Sequence, residues 1–221
     1  MAICWIKTIS PESASGRLKE IYEMVAPAGR NVHNLYQAQS LRPESMLGHD
    51  VLYKSILHKG EFTCPGWFLE AVAVYTSILN RCDYAVAHHG ANMVHLLGNP
   101  ERADKISTAF REDKPEAAFE GKDLALLRYA RKLTLDPGGM ERADIDALKK
   151  YGTSDEEILE VNQVTAGFAY SNRVLNGLGA DLSRSGRKGV HLGRTPDRPA
   201  NLLHRFFFRW RSSLLSALAG L

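Results

Sequence analysis

The sequence predicts an all-α fold, a helical bundle over residues 1 to 182 followed by a basic tail. Three observations point there. Apolar residues recur at helical spacing nearly throughout, strand signals are few, and helix-start and helix-stop residues bracket most of the periodic segments.

Ser10, Pro11 and Glu12 predict the start of a first helix, with a capping residue and a proline whose missing N–H costs nothing there. "PESMLGHDVLYKSILHKG" predicts a second helix from Pro43 to a stop at Gly60. Thr63 is then expected to cap the longest apolar helix, "CPGWFLEAVAVYTSILN". Asn80 is expected to end that helix and cap the next, which runs towards Gly98-Asn99-Pro100. The stretch after Pro100 reads as a polar loop. "KDLALLRYARKLTLDP" is a helix closed by Asp136-Pro137-Gly138, and "MERADIDALKKYG" is another that stops at Gly152. Ser154 and Glu157 have the spacing of a capping box, in which hydroxyl and carboxylate satisfy end amides reciprocally, and they open "DEEILEVNQVTAGFAYSNRVLNGLG".

Composition bounds the function. Of 221 residues, 24% are charged and 44% hydrophobic, ordinary for a soluble globular chain. The three cysteines, Cys4, Cys64 and Cys82, are too few and too scattered for a disulfide framework and suggest a reducing compartment. The N-terminus lacks a signal-peptide pattern and no stretch approaches a membrane span, so the expected location is cytoplasmic.

The net charge of +3 hides a division. Residues 183–221 carry eight Lys or Arg against Asp197 alone, giving +7, and residues 1–182 carry −4. A mildly acidic body is no nucleic-acid-binding surface, and no nucleic-acid motif is present. Residues 183–200 are rich in Gly, Pro, Arg and Ser and read as a flexible linker. Residues 201–221 read as an amphipathic helix with Phe207, Trp210 and Leu214 on one stripe and Arg205, Arg209 and Arg211 off its centre. Such a tail either contacts a membrane surface peripherally or packs on protein.

The chemistry concentrates between Glu70 and His89. Glu70 has only non-polar helical neighbours, Gly66, Trp67, Ala73 and Val74. A carboxylate on such a face either makes a structural ion pair or orients a histidine, and the sequence offers His89 as the partner. In "NRCDYAVAHHG", Cys82, Ala85 and His89 share one helical stripe, with Tyr84 beside it. His88 faces away from it, which suits a surface, an interface or a secondary position in a pocket. Cys82 is placed in the first turn of its helix, where amides and the helix dipole favour a thiolate. Seven residues nevertheless set it about 10 Å from His89 along the axis, too far for a direct hydrogen bond. Taken alone, Cys82 also suits a buried small hydrophobe. Cys64, before Pro65, is a weaker thiol candidate. His88, His89 and His95 do not share a face, so no metal site is expected, and "GLGADLSRSG" lacks the strand context of a phosphate-binding loop.

"EAVAVYTSILNRCDYAVAHHG" resembles the signature of the alkylhydroperoxidase D family within the carboxymuconolactone decarboxylase superfamily, closest to its peroxidase-related branch. Glu70, Cys82 and His89 fall on matching positions, and Ala85 stands where the family has its second cysteine. "VHNLYQAQSLRPESMLGH", "RYARKLTLDP", "SDEEILEV" and "SNRVLNGLG" extend the likeness over roughly residues 30–182. The resemblance implies an all-helical homo-oligomer without a cofactor. It also implies an antioxidant, peroxiredoxin-type reduction of a hydroperoxide at the expense of an external thiol. In that scheme Glu70 and His89 form a proton relay to the second cysteine, and Cys82 resolves the sulfenate. With Ala85 the two-cysteine cycle cannot close. Three readings follow: a one-cysteine or inactive peroxidase relative; an acid–base enzyme using Glu70 and His89 on a small organic substrate, as in the decarboxylase branch; and a non-catalytic oligomer.

Overall fold

The computed structural model describes residues 2–26 and 31–182, and helices are the only regular elements among them. The linker and tail expected over 183–221 lie outside the described residues. Pro11 starts only a single 3-10 turn, Pro11–Ser13, and the first α-helix, α1, begins later, at Gly16–Val25. A short turn of helix, α2 (Asn34–Gln37), leads into α3 (Pro43–Leu57), which ends one turn before the expected stop at Gly60. α1 packs on α3 through a small cluster of its own, built on Ile21, Tyr22, Tyr36 and Met46.

The apolar run becomes α4 (Gly66–Leu79), in which every residue from Phe68 to Ile78 is buried. Thr63 does not cap it. Pro65 holds the cap position, and the backbone amides of Thr63 and Cys64 instead donate to the Glu160 carboxylate at 2.7 and 2.8 Å, tying the helix entrance to the last helix.

Asn80 ends α4 as expected but does not cap its successor. Arg81 takes the left-handed conformation (φ 54°), the Cys82 amide donates to Ser77 and the Arg81 amide to Ile78. These are the paired bonds of a Schellman stop. They turn the chain back at once, so α5 (Asp83–Leu97) lies antiparallel against α4 with Cys82 itself at the N-cap. Asn176 donates to the Asn80 carbonyl at 2.9 Å and pins the turn to the bundle.

Residues 100–111, read from the sequence as a polar loop, are a helix, α6 (Pro100–Arg111), capped by the Asn99 side chain. Its buried face is Ala103, Ile106, Ser107, Ala109 and Phe110, a stripe too short of large apolar residues to announce itself. Phe110 stacks on Tyr75 (4.7 Å) and on Phe119 (5.6 Å). α7 (Gly121–Leu135) and α8 (Arg142–Lys149) follow as expected, and α9 (Asp155–Leu178) opens with the Ser154–Glu157 capping box.

α9 crosses both α3 and α4, and its path depends on Gly167. A Cβ there would run into the Cδ1 methyl of Ile56 on α3. In this arrangement Phe168 meets His89 of α5 and Ser171 meets His49 of α3. At the far end, the Trp5 amide donates to the Leu178 carbonyl and the Asp181 amide to the Ile3 carbonyl, both at 2.8 Å. Gly179 (φ +60°) lies under the Trp5 ring, where any Cβ would collide with the indole.

Candidate active site

Glu70 sits in the middle of α4, fully buried, and the hairpin at Arg81 lays α5 over it. His89 Nδ1 lies 2.7 Å from Glu70 Oε2, and the Asn92 amide donates to Oε1 at 3.1 Å. A carboxylate only accepts, so Nδ1 carries the hydrogen and the lone pair of the neutral ring is on Nε2. The edge of the ring is held by Phe168 (4.5 Å, perpendicular) and Tyr53 (5.8 Å). Burial and these contacts hold the His89 ring in one orientation, with Nδ1 on Glu70.

His89 borders a cavity of about 120 Å³. α5 gives it one wall, with Tyr84, Ala85, His88 and Asn92. α9 gives a second, with Phe168, Ser171 and Leu175, and Tyr53 comes from α3. The segment around α2 closes it with His33, Leu35 and Tyr36. Thus Ala85, the position between the two reactive side chains in the sequence, is on the cavity wall one turn before His89. His88 takes the secondary pocket position, its ring against Tyr84 (4.6 Å) and His33 (5.5 Å). Burial pushes the Tyr84 phenol up to about 12, against the pull of the nearby Leu35 and Asn34 amides.

Of the two expectations for Cys82, a helix-start thiolate and a buried small hydrophobe, its placement fits the second. It is completely buried and does not line the cavity. The amides of Ala85 and Tyr84 at the start of α5 do favour a thiolate, but burial outweighs them and pushes the thiol up to about 11. The physical reason is its place in the Schellman stop, which turns the side chain into the core as a small hydrophobe. Cys64 is buried too, and burial and the Glu160 carboxylate both raise its pKa. All three cysteines are free.

Several site residues were not found from the sequence. Asn92 carried a signal, since it stands three residues after His89 and so shares its face. Tyr36, Tyr53, Phe168 and Ser171 arrive through tertiary packing and carried none. Behind the cavity a third histidine, His49, is also buried. Its Nε2 lies 2.7 Å from Ser171 Oγ and its Nδ1 lies 3.0 Å from Gln39 Nε2. Burial lowers its pKa to about 4. Among the described residues no group of three or more His, Cys, Asp or Glu is placed to hold a metal ion.

This architecture is the alkylhydroperoxidase D-like all-α fold. The peroxidase-related protein from Ralstonia eutropha JMP134, an alkylhydroperoxidase AhpD core, is similar at a TM-score of 0.68 and 24% identity, over 82% of this chain and 93% of that one. A peroxidase-related protein from Silicibacter sp. TM1040 is similar at 0.64 and 23%, over 82% and 90%. A cysteine-to-alanine variant of the debrominase Bmp8, solved in complex with 2,3,4-tribromopyrrole, is similar at 0.61 and 16%, over 84% and 93%. No protein-family model matches the chain and no curated protein matches its sequence.

Proposed function

We propose that the site is a thiol-independent acid–base centre acting on a small organic molecule. Glu70 holds His89, and His89 Nε2 takes a proton from the bound molecule and returns it to another atom. The observation that carries this reading is the buried 2.7 Å Glu70–His89 pair at the edge of a cavity whose neighbouring wall is the methyl of Ala85. Proton transfer needs only a positioned base of suitable affinity, whereas peroxide reduction needs a thiolate in the cavity. Cys82, with its pKa raised to about 11 and its side chain in the core, is poorly suited to that task. That a debrominase of the same fold binds 2,3,4-tribromopyrrole supports a small planar organic ligand.

A one-cysteine peroxidase that uses an external thiol is the second reading, and the helix-end amides beside Cys82 favour it. One experiment separates the two. The chain is incubated with hydrogen peroxide and dithiothreitol, and separately in D₂O with a panel of small cyclic enols and keto compounds followed by proton NMR. Deuterium exchange that depends on Glu70 and His89, with unchanged free thiols after peroxide, is the expected result. Peroxide turnover with loss of the Cys82 thiol would replace this reading by the peroxidase one. Self-association of the helical domain belongs to the same proposal, as does peripheral membrane contact through residues 183–221.

A further inference from the structure

Each hydroxyl has one hydrogen to give, so following those hydrogens tells what a cavity wall offers a ligand. The Tyr36 phenol donates to Asp50 Oδ1 at 2.7 Å. Lys54 donates to the other oxygen of Asp50, also at 2.7 Å, so both oxygens of that carboxylate are taken up as acceptors. Burial and the Asp50 carboxylate both raise the Tyr36 pKa, so its hydrogen stays on the phenol. Towards the cavity, Tyr36 can only accept.

Ser171 is in the same position. Its hydroxyl donates to the Gly167 carbonyl at 3.0 Å, one turn back along α9. Its oxygen then receives a bond from His49, and the direction of that bond is fixed. Gln39 Nε2 lies 3.0 Å from the Leu35 carbonyl, which only accepts, so the amide nitrogen is on that side. The second hydrogen of that nitrogen goes to His49 Nδ1. His49 is therefore protonated on Nε2 and donates to Ser171 Oγ. Its lowered pKa keeps it neutral and holds that tautomer at neutral pH.

We propose, resting on the acid–base reading above, that this wall selects small, planar, uncharged molecules that present an O–H or N–H to Tyr36 and Ser171. His89 Nε2, with its partner nitrogen committed to Glu70, is a third acceptor on the same cavity. A ligand carboxylate on the Tyr36–Ser171 wall would meet lone pairs there, at a cost in desolvation. A ligand hydroxyl there would gain a bond that an apolar ring of equal size cannot make. The aromatic rings of Phe168 and Tyr53 supply flat faces. The volume, about 120 Å³, is of the order that holds one small ring, as an engineered cavity of about 150 Å³ holds benzene.

Phenol, fluorobenzene and benzoate are near-equal in ring size and differ in what they present. Their dissociation constants for the full chain can be read from NMR titrations. Phenol is expected to bind about tenfold more tightly than either of the others, the worth of one or two neutral hydrogen bonds. Tyr36→Phe leaves Asp50 paired with Lys54 and removes one acceptor. It should shrink the preference for phenol over fluorobenzene to about threefold. Equal binding of phenol and fluorobenzene overturns the proposal, as does tighter benzoate binding, an unchanged preference in a folded Tyr36→Phe variant, or failure of all three probes to bind at millimolar concentration. Deuterium exchange plays no part in this readout. Donor selectivity without proton transfer would leave this proposal standing and remove the acid–base reading, and benzoate selectivity with proton transfer would do the reverse.

Discussion

His89 Nδ1 and Glu70 Oε2 are 2.7 Å apart, on two different helices that a single left-handed residue, Arg81, folds face to face. The contact fixes which histidine nitrogen faces the cavity. It also gives a buried carboxylate two donors, counting Asn92.

Glu70→Gln keeps the size of the side chain and removes its charge, so His89 loses the carboxylate that fixes its Nδ1. Proton-transfer activity should fall about a hundredfold with the fold retained. Glu70→Ala leaves His89 and Asn92 without their buried acceptor and should cost about 2 kcal/mol as well. Urea unfolding beside the D₂O exchange assay checks both. An active Glu70→Gln would make the pair structural.

Ala85→Cys puts a thiol on the cavity wall, one turn from His89. There a base can take its proton. The variant should gain peroxide consumption with dithiothreitol over the parent and lose free thiols on treatment with peroxide, with Cys82 as the thiol that condenses. If it stays inactive while Glu70 and His89 keep their geometry, the relay does not serve thiols.

His49 sets an acid limit on stability. Its pKa is about 4 in the fold against an ordinary 6.5, so between these values the unfolded chain holds a proton that the folded one refuses. Stability from this group is complete above about pH 6.5 and is lost as the pH falls towards 4, by an amount on the order of 3 kcal/mol. Denaturant midpoints measured from pH 7 to 4 should show this slope, and His49→Gln should flatten it.

Residues 183–221 carry a net charge of +7, whereas the bundle packs its own core as far as Ala180 and Leu182. A chain ended after Leu182 should unfold at the same temperature as the full one and should no longer sediment with anionic vesicles. A lower unfolding temperature or a changed oligomeric state would make the tail a packing element instead.

The sequence carried the fold class and the pairing of Glu70 with His89, because both rest on local spacing. Glu70 stood out through its apolar neighbours, and Asn80 marked the boundary between its helix and the one that carries His89. The misreadings are tertiary. α6 hid because Ala103, Ser107 and Ala109 suffice on a face that others cover. Cys82 looked like a helix-start thiolate because nothing local tells that a Schellman stop turns it inward. Thr63 looked like a cap because its competitor, Glu160, is 97 residues away. The Gln39–His49–Ser171 chain joins three segments whose only common property is where α9 crosses α3.

The bonds between Ile3 and Asp181, and between Trp5 and Leu178, make the described chain a ring with its join at one end of α9. Such a ring can be cut elsewhere. Linking residue 182 to residue 2 through a few glycines and opening the chain at the exposed residues 59–61, between α3 and α4, gives a circular permutant that keeps every helix and every cavity residue. In that permutant, α4 becomes the first long helix made. Glu70 and His89 would then sit in one uninterrupted hairpin at the start of synthesis, and the order in which the site and the bundle assemble becomes open to experiment.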